Sequence, residues 1–216
     1  MPFDMTPQDY RTLYARFNSG TQPQDFINLA GGIKDKVVVD LCCGDGRITK
    51  LCSGAKSIYA VDESLSMTRD LQKAANLDVL NLNVMSALTL QVEKNLKADI
   101  IFCQQAINYW LDEVTSKKVS QVIAPGGFFI FNTFNVKPEP IPKVNEYVIG
   151  NKEYVEVSWS VNDMVHHVQC CLGYPPHVTE FAWISPYRFR AILEPYFIVT
   201  EIKKSKSSIY CCQRKG

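Results

Sequence analysis

The chain has 216 residues, 46% hydrophobic and 21% charged, with a formal net charge of +1. That length and balance describe one larger domain able to bury its own core and exclude a disordered chain. The sequence has no basic stripe of the kind that neutralises nucleic-acid phosphates, no apolar run near the ~20 residues that span a bilayer, and no secretion-signal segment at its N-terminus, so the expectation is a cytoplasmic protein without nucleic-acid or membrane partners.

In chain order, "TPQDYRTLYARF" reads as a helix and "GTQPQD" as a linker. "KVVVDL" reads as a buried strand, "RITKLCSG" as a helix ending at Gly54, and "SIYAVD" as a second strand. "SLSMTRDLQKAA" carries Leu65, Thr68, Leu71 and Ala75 at helical spacing. "DVLNLNV" and "ADIIFC" give two further strands, and "DEVTSKKVSQVI" a helix stopped by Pro125-Gly126-Gly127, from which "FFIFNTF" departs as a fifth strand. This alternation is the pattern of a parallel sheet wrapped by helices.

Beyond Phe134 the rhythm changes. "EYVEVSWSV" and "MVHHVQCCLG" alternate with the strand period around "ND", the pattern of an antiparallel hairpin, and "HVTEFAWI" adds a third strand. Ser185 and Pro186 then read as the N-cap and first position of a helix, followed by the strands "FIVTEIKK" and "SSIYCCQR". Eight cysteines are present, yet none forms a C-x-x-C pair or zinc-ligand spacing, so they read as buried thiols and no metal is expected.

The stretch "VVVDLCCGDGRIT" carries the chemistry. A strand running into glycines and then a helix lets backbone approach a nucleotide and offers it N–H donors. Three details narrow the ligand. Asp40 puts a carboxylate inside the strand, which suits a cationic cofactor. The third glycine of the dinucleotide fingerprint is replaced by Thr49, which disfavours a dinucleotide oxidoreductase. Asp62 ends the neighbouring strand, where a carboxylate can take both ribose hydroxyls.

From Val37 to Phe134 the sequence resembles the class I S-adenosylmethionine-dependent methyltransferases of small-molecule type. "VVVDLCCGDG" resembles their first motif, with Cys42 standing where many members have a glycine; "AVDES", "LNLNV", "ADIIFCQQAINYW" and "IAPGGFFIFNTF" resemble the four that follow. The resemblance implies an α/β fold: a Rossmann-like seven-stranded sheet, mostly parallel with an antiparallel C-terminal strand, and an antiparallel β insertion after strand 5. It divides the chain into an N-terminal helical cap (1–31), a core (32–135 and 184–216) and an inserted substrate-binding lid (136–183). S-adenosylmethionine is the implied cofactor and S-adenosylhomocysteine the product. The implied contacts are Cys42, Gly44 and Gly46 beneath the methionine part, Asp40 at its amino group, and Asp62 on the ribose. Glu63, Met67, Asn83 and Val84 fall around the adenine, Gln104 beside the sulfonium, and Tyr14 closes over the cofactor.

The acceptor expected is a small molecule methylated on nitrogen, oxygen or carbon. Its pocket is assigned to Tyr10, Asn108, Tyr109, Trp159 and His167. All three histidines, His166, His167 and His177, fall in the insertion, and His167 is the candidate base. A non-catalytic S-adenosylmethionine-binding protein and a protein or RNA methyltransferase stay open as alternatives, as do a monomer and a homodimer.

Overall fold

A computed structural model describes residues 21–71, 74–135, 137–149, 151–171, 176–204 and 207–216. The expected N-terminal helix, with Tyr10 and Tyr14, lies outside the described residues.

Seven strands form one sheet in the order β10-β11-β5-β4-β1-β2-β3. They are β1 (Val37–Leu41), β2 (Ser57–Val61), β3 (Leu77–Leu80), β4 (Ala98–Cys103), β5 (Ile123–Phe134), β10 (Phe197–Lys203) and β11 (Ser207–Arg214). β11 runs antiparallel to both β5 and β10, while β1 to β5 pair in parallel. Alternate residues serve opposite faces of the sheet. Val39, Leu41, Ile101, Phe129 and Phe131 join the core that holds α4 (Glu113–Val122) and α5 (Pro186–Leu193). Val38, Ile100, Phe102 and Ile130 join the core on the other face, with Phe26 of α1 (Pro23–Leu29). The strands are near-continuous apolar runs because helices cover both faces.

The remaining strands, β6 (Lys143–Ile149), β7 (Lys152–Val161), β8 (Met164–Cys171) and β9 (His177–Ala182), form a separate antiparallel sheet in chain order. The hairpin expected around Asn162 and Asp163 joins β7 to β8, with Val161 opposite Met164 and Asn162 at φ 54°. Ser185 caps α5 as expected, its hydroxyl accepting the Arg188 N–H at 3.2 Å.

Several elements differ from expectation. The helix read after β1 is a 3-10 turn, Thr49–Cys52, and the one after β2 is a single turn, α2 (Leu65–Thr68). The linker begins a helix, because Pro23 occupies the first turn of α1, where a missing N–H costs nothing. α3 (Val84–Glu93) was not anticipated; its "VMSALTLQVE" is apolar on most sides and lacks an obvious stripe. Pro125-Gly126-Gly127 is an irregular excursion inside β5, where the register with β4 shifts between Ala98 and Ile100. β6 was also unforeseen.

Candidate active site

The parallel strands end along one edge, and the turns that leave them carry the site. After β1 the backbone takes left-handed conformations at Cys42 (φ 55°), Gly44 (φ 55°) and Gly46 (φ 77°). Glycine adopts these without steric cost and cysteine does not, so Cys42 is held there by its surroundings. Its thiol packs against Cys103, at the end of the adjacent strand, and that contact, followed by burial, pushes its pKa up. A Cβ at Gly46 would overlap the Leu71 side chain, so this position admits only glycine without rearrangement.

Two carboxylates fix the turn. Asp40 is 2% exposed, and its Oδ2 accepts from the Thr49 N–H at 3.0 Å and the Thr49 hydroxyl at 2.6 Å. Burial raises its pKa to about 7 against the opposing pull of those bonds. Asp62 accepts the Gly44 N–H on Oδ2 and the Ser64 N–H on Oδ1, each at 2.9 Å. Burial again raises its pKa, and the two backbone donors oppose the shift. The Gly44 bond ties the turn after β1 to the end of β2. Met67 packs within α2 and would stand 3.5 Å from a Cβ at Gly44. Glu63 beside it is exposed.

Asn83 caps α3, its Oδ1 accepting the Ser86 N–H at 2.9 Å, with Val84 buried behind it. Gln104 follows β4 and lines a small cavity with Asp40, Cys42, Cys43, Gly44, Asp45, Arg47 and Ile48. The next residue, Gln105, has φ 60° and donates its N–H to the buried Asn132 Oδ1 at 2.7 Å. It opens a second cavity shared with Asn108, Tyr109, Asn132, Thr133, Phe134 and Phe181. Asn108 donates to Thr133 Oγ1 at 3.0 Å, while its own Oδ1 is buried and has no partner among the described residues. The Tyr109 ring meets Phe181 edge-on with centroids 5.0 Å apart. That contact brings β9 over the edge of the main sheet.

Register decides which insertion residues face that edge. Phe181 of β9 shares its face with Thr179, and Thr179 pairs with His167, which in turn pairs with Ser158. His167 is therefore on the Phe181 face. His166 and Trp159 are paired on the opposite face, where their rings stack 5.1 Å apart and His166 Nδ1 lies 3.0 Å from Glu180. Trp159 and His167, expected in one pocket, are thus not brought together. The His177 side chain lies outside the described residues.

Glu156 was not anticipated. It is 6% exposed, its Oε1 is 2.7 Å from His167 Nε2 without hydrogen-bond alignment, and its Oε2 accepts from the Tyr147 hydroxyl at 2.9 Å. Counting back from the Asn162-Asp163 turn would have placed Glu156 and His167 on one face. Nothing in the sequence signalled Gln105 or Asn132, which are joined by the left-handed backbone at Gln105 and the Asn132 side-chain oxygen that accepts its N–H.

Residues 39–131 match the methyltransferase-domain family. The whole chain is similar in fold to an S-adenosylmethionine-dependent methyltransferase from Clostridium acetobutylicum ATCC 824, with 18% identity, a TM-score of 0.72, and coverage of 97% of this chain and 99% of that one. It is also similar to S-adenosylmethionine-bound CalS10, an amino pentose methyltransferase from Micromonospora echinaspora, at 9% identity and TM-score 0.69, covering 94% and 96% of the two chains. A third likeness is to the N-methyltransferase NodS from Bradyrhizobium japonicum WM9, in complex with S-adenosyl-L-homocysteine, at 10% identity and TM-score 0.53, covering 99% and 90%. No curated protein matches the sequence.

Proposed function

We propose that this chain, a class I S-adenosylmethionine-dependent methyltransferase with its family domain at residues 39–131, methylates nitrogen, oxygen or carbon of a small acceptor in the cytoplasm. The observation that carries the cofactor assignment is the 2.9 Å bond from the Gly44 N–H to Asp62, which brings glycine turn and ribose-type carboxylate into one cradle. The cavity beside it, lined by Asp40 and Gln104, fits the methionine part, and the side-chain-free Gly44 leaves room for close approach.

In this reading Asp62 keeps lone pairs on both oxygens for the ribose hydroxyls, and Asp40 offers negative charge to the amino group. Asn83 has already committed its carbonyl oxygen to Ser86, so it meets the adenine amine through that oxygen's second lone pair. The Val84 N–H, at the start of α3, has no intrahelical acceptor and is available to the adenine ring. Cys42 and Gly46 shape the turn, Met67 and Glu63 border the adenine, and Tyr14 on the N-terminal segment closes the site.

The bound cofactor supplies an electrophilic methyl group and leaves as S-adenosylhomocysteine. The chain's part is to align the acceptor, exclude water and remove a proton where the acceptor carries one. Residues 136–183 supply the acceptor side as a lid, residues 1–31 a cap, and 32–135 with 184–216 the core. The two cavities are lined by consecutive residues, Gln104 in the one assigned to the donor and Gln105 in the one beneath Phe181. All eight cysteines are free thiols, as a reducing compartment favours.

Calorimetric titration with S-adenosylmethionine, S-adenosylhomocysteine and NAD tests the cofactor. Micromolar binding of the two sulfur compounds and none of NAD is expected; NAD binding alone would refute it. Transfer of labelled methyl groups to small molecules, and not to protein or RNA, tests the acceptor class.

A further inference from the structure

The antiparallel sheet is patterned against the usual rule. Val144, Val148, Val161, Met164 and Val178 lie on one face and are exposed, while the Phe181 face buries Glu156, Ser160, Gln169 and Thr179 alongside Tyr154 and Val165, with the Ser160 hydroxyl donating to the Pro138 carbonyl at 2.6 Å. Burying a polar face costs free energy unless its groups are paired or meet a ligand. Gln169 is 5% exposed and sits directly opposite Glu156, yet neither atom of its amide has a partner among the described residues. Glu156 is a buried carboxylate whose nearest described companions are the Tyr147 hydroxyl and the His167 ring.

We propose that the acceptor is a basic amine that enters as its ammonium ion, with Glu156 as its counter-charge and His167 as the group that takes its proton. The inference rests on the methyltransferase reading above and names the acceptor class for the same site.

Three features converge on it. A buried anionic group attracts a cation and repels a carboxylate, phosphate or phenolate acceptor. His167 Nε2 lies 2.7 Å from Glu156 Oε1 without hydrogen-bond alignment, so Nδ1 is the nitrogen that does not face the carboxylate. Asn108 Oδ1, in the cavity under Phe181, is an unpartnered acceptor suited to an N–H donor. On the strand lattice, His167 lies roughly 8 Å from Phe181 between Cα positions, two residues along and one strand across.

The step balances. One ammonium N–H bond breaks, its proton passes to His167, and its electron pair stays on nitrogen. That pair forms the nitrogen–methyl bond as the methyl–sulfur bond breaks, with the latter's electrons retained by sulfur. Gln169 is left to hold a neutral hydroxyl or carbonyl elsewhere on the acceptor.

The experiment uses the whole chain saturated with S-adenosylhomocysteine, titrated calorimetrically with glucosamine and tyramine and with their N-acetyl derivatives. At least one free amine should bind ten-fold or more tighter than its N-acetyl form. Glu156→Gln should weaken that amine ten-fold or more with S-adenosylhomocysteine affinity unchanged, and Glu156→Asp should recover part of the loss. Should the Gln variant not fold, the Asp variant and the amine/N-acetyl ratio in the parent carry the test. Equal binding of the N-acetyl compounds, no binding of either amine, or an unaltered amine affinity in Glu156→Gln would overturn the proposal. Failure of S-adenosylhomocysteine to bind the parent protein would instead overturn the methyltransferase reading.

Discussion

Asp62→Asn is the sharpest probe of the cofactor cradle, because the two carboxylate oxygens each accept a backbone N–H, from Gly44 and from Ser64 at 2.9 Å. An amide has one acceptor oxygen, so whichever way it turns, one of those N–H groups faces an NH₂ donor. A hydrogen bond to a charged group contributes about 1.5–3 kcal/mol, so the variant loses roughly that much of the tie between the β1 turn and β2. A ribose hydroxyl that would donate to the same oxygen loses a similar amount. At about 1.4 kcal/mol per factor of ten, S-adenosylhomocysteine affinity should fall roughly 10- to 150-fold. Calorimetry on parent and variant measures it, with thermal unfolding run on both. An affinity within three-fold of the parent would refute the assignment of Asp62 to the ligand, even if the variant melts earlier.

Asp40 should give stability a pH dependence with a definite sign. Its folded pKa, about 7, lies above its ordinary value of 3.8, so the folded state holds this proton more tightly than the unfolded chain and stability declines as pH rises between those values. Asp40→Asn removes the decline. Between pH 5 and pH 8 the variant should gain about 2–3 kcal/mol on the parent in urea unfolding, and a constant difference would contradict the burial argument. The neighbouring Asp62 and Arg47 act on Asp40 with opposite signs and remain in both proteins. Gly46→Ala places a Cβ on the Leu71 side chain at φ 77°, and should cost about 1–3 kcal/mol in thermal or urea unfolding while weakening S-adenosylhomocysteine binding. Full stability and affinity would show that the turn tolerates a side chain.

The cradle was legible because its signals are local. Strand, cysteines, glycines and Thr49 occupy thirteen consecutive residues, and Asp62 stands at a strand end that the apolar run of β2 marks by itself. The departure at Cys42 was visible as a missing glycine, but only the φ of 55° shows that the cysteine adopts the conformation a glycine would. Short helices were misjudged for the reason that helical spacing does not set length. Leu71 falls in register with Leu65 and Thr68, yet the helix ends at Thr68, and Leu71 is instead buried beside Cys43 and Ala60. α3 was missed in the converse way, with Asn83 read as a ligand contact when its carbonyl also starts a helix.

The insertion was harder for a different physical reason. Alternation in β7 and β8 separates two faces and leaves open which one turns inward, and the habit of placing apolar residues inside selects the valine face. Here that habit fails: Val161 and Val178 are exposed, while Glu156, Gln169 and Thr179 are buried. What settles the orientation is a contact made across the fold, Phe181 against Tyr109, which no local pattern contains. Once that contact is given, register does the rest, moving Trp159 and His166 to the outer face and setting His167 beside Glu156. A buried polar face opposite the carboxyl ends of β4 and β5 is poor economy for stability alone, since aliphatic residues already sit one position away on every strand. The unpartnered Gln169 amide opposite the buried Glu156, on adjacent strands β8 and β7, is best explained by a ligand that needs those groups, and the amine titration addresses that explanation directly.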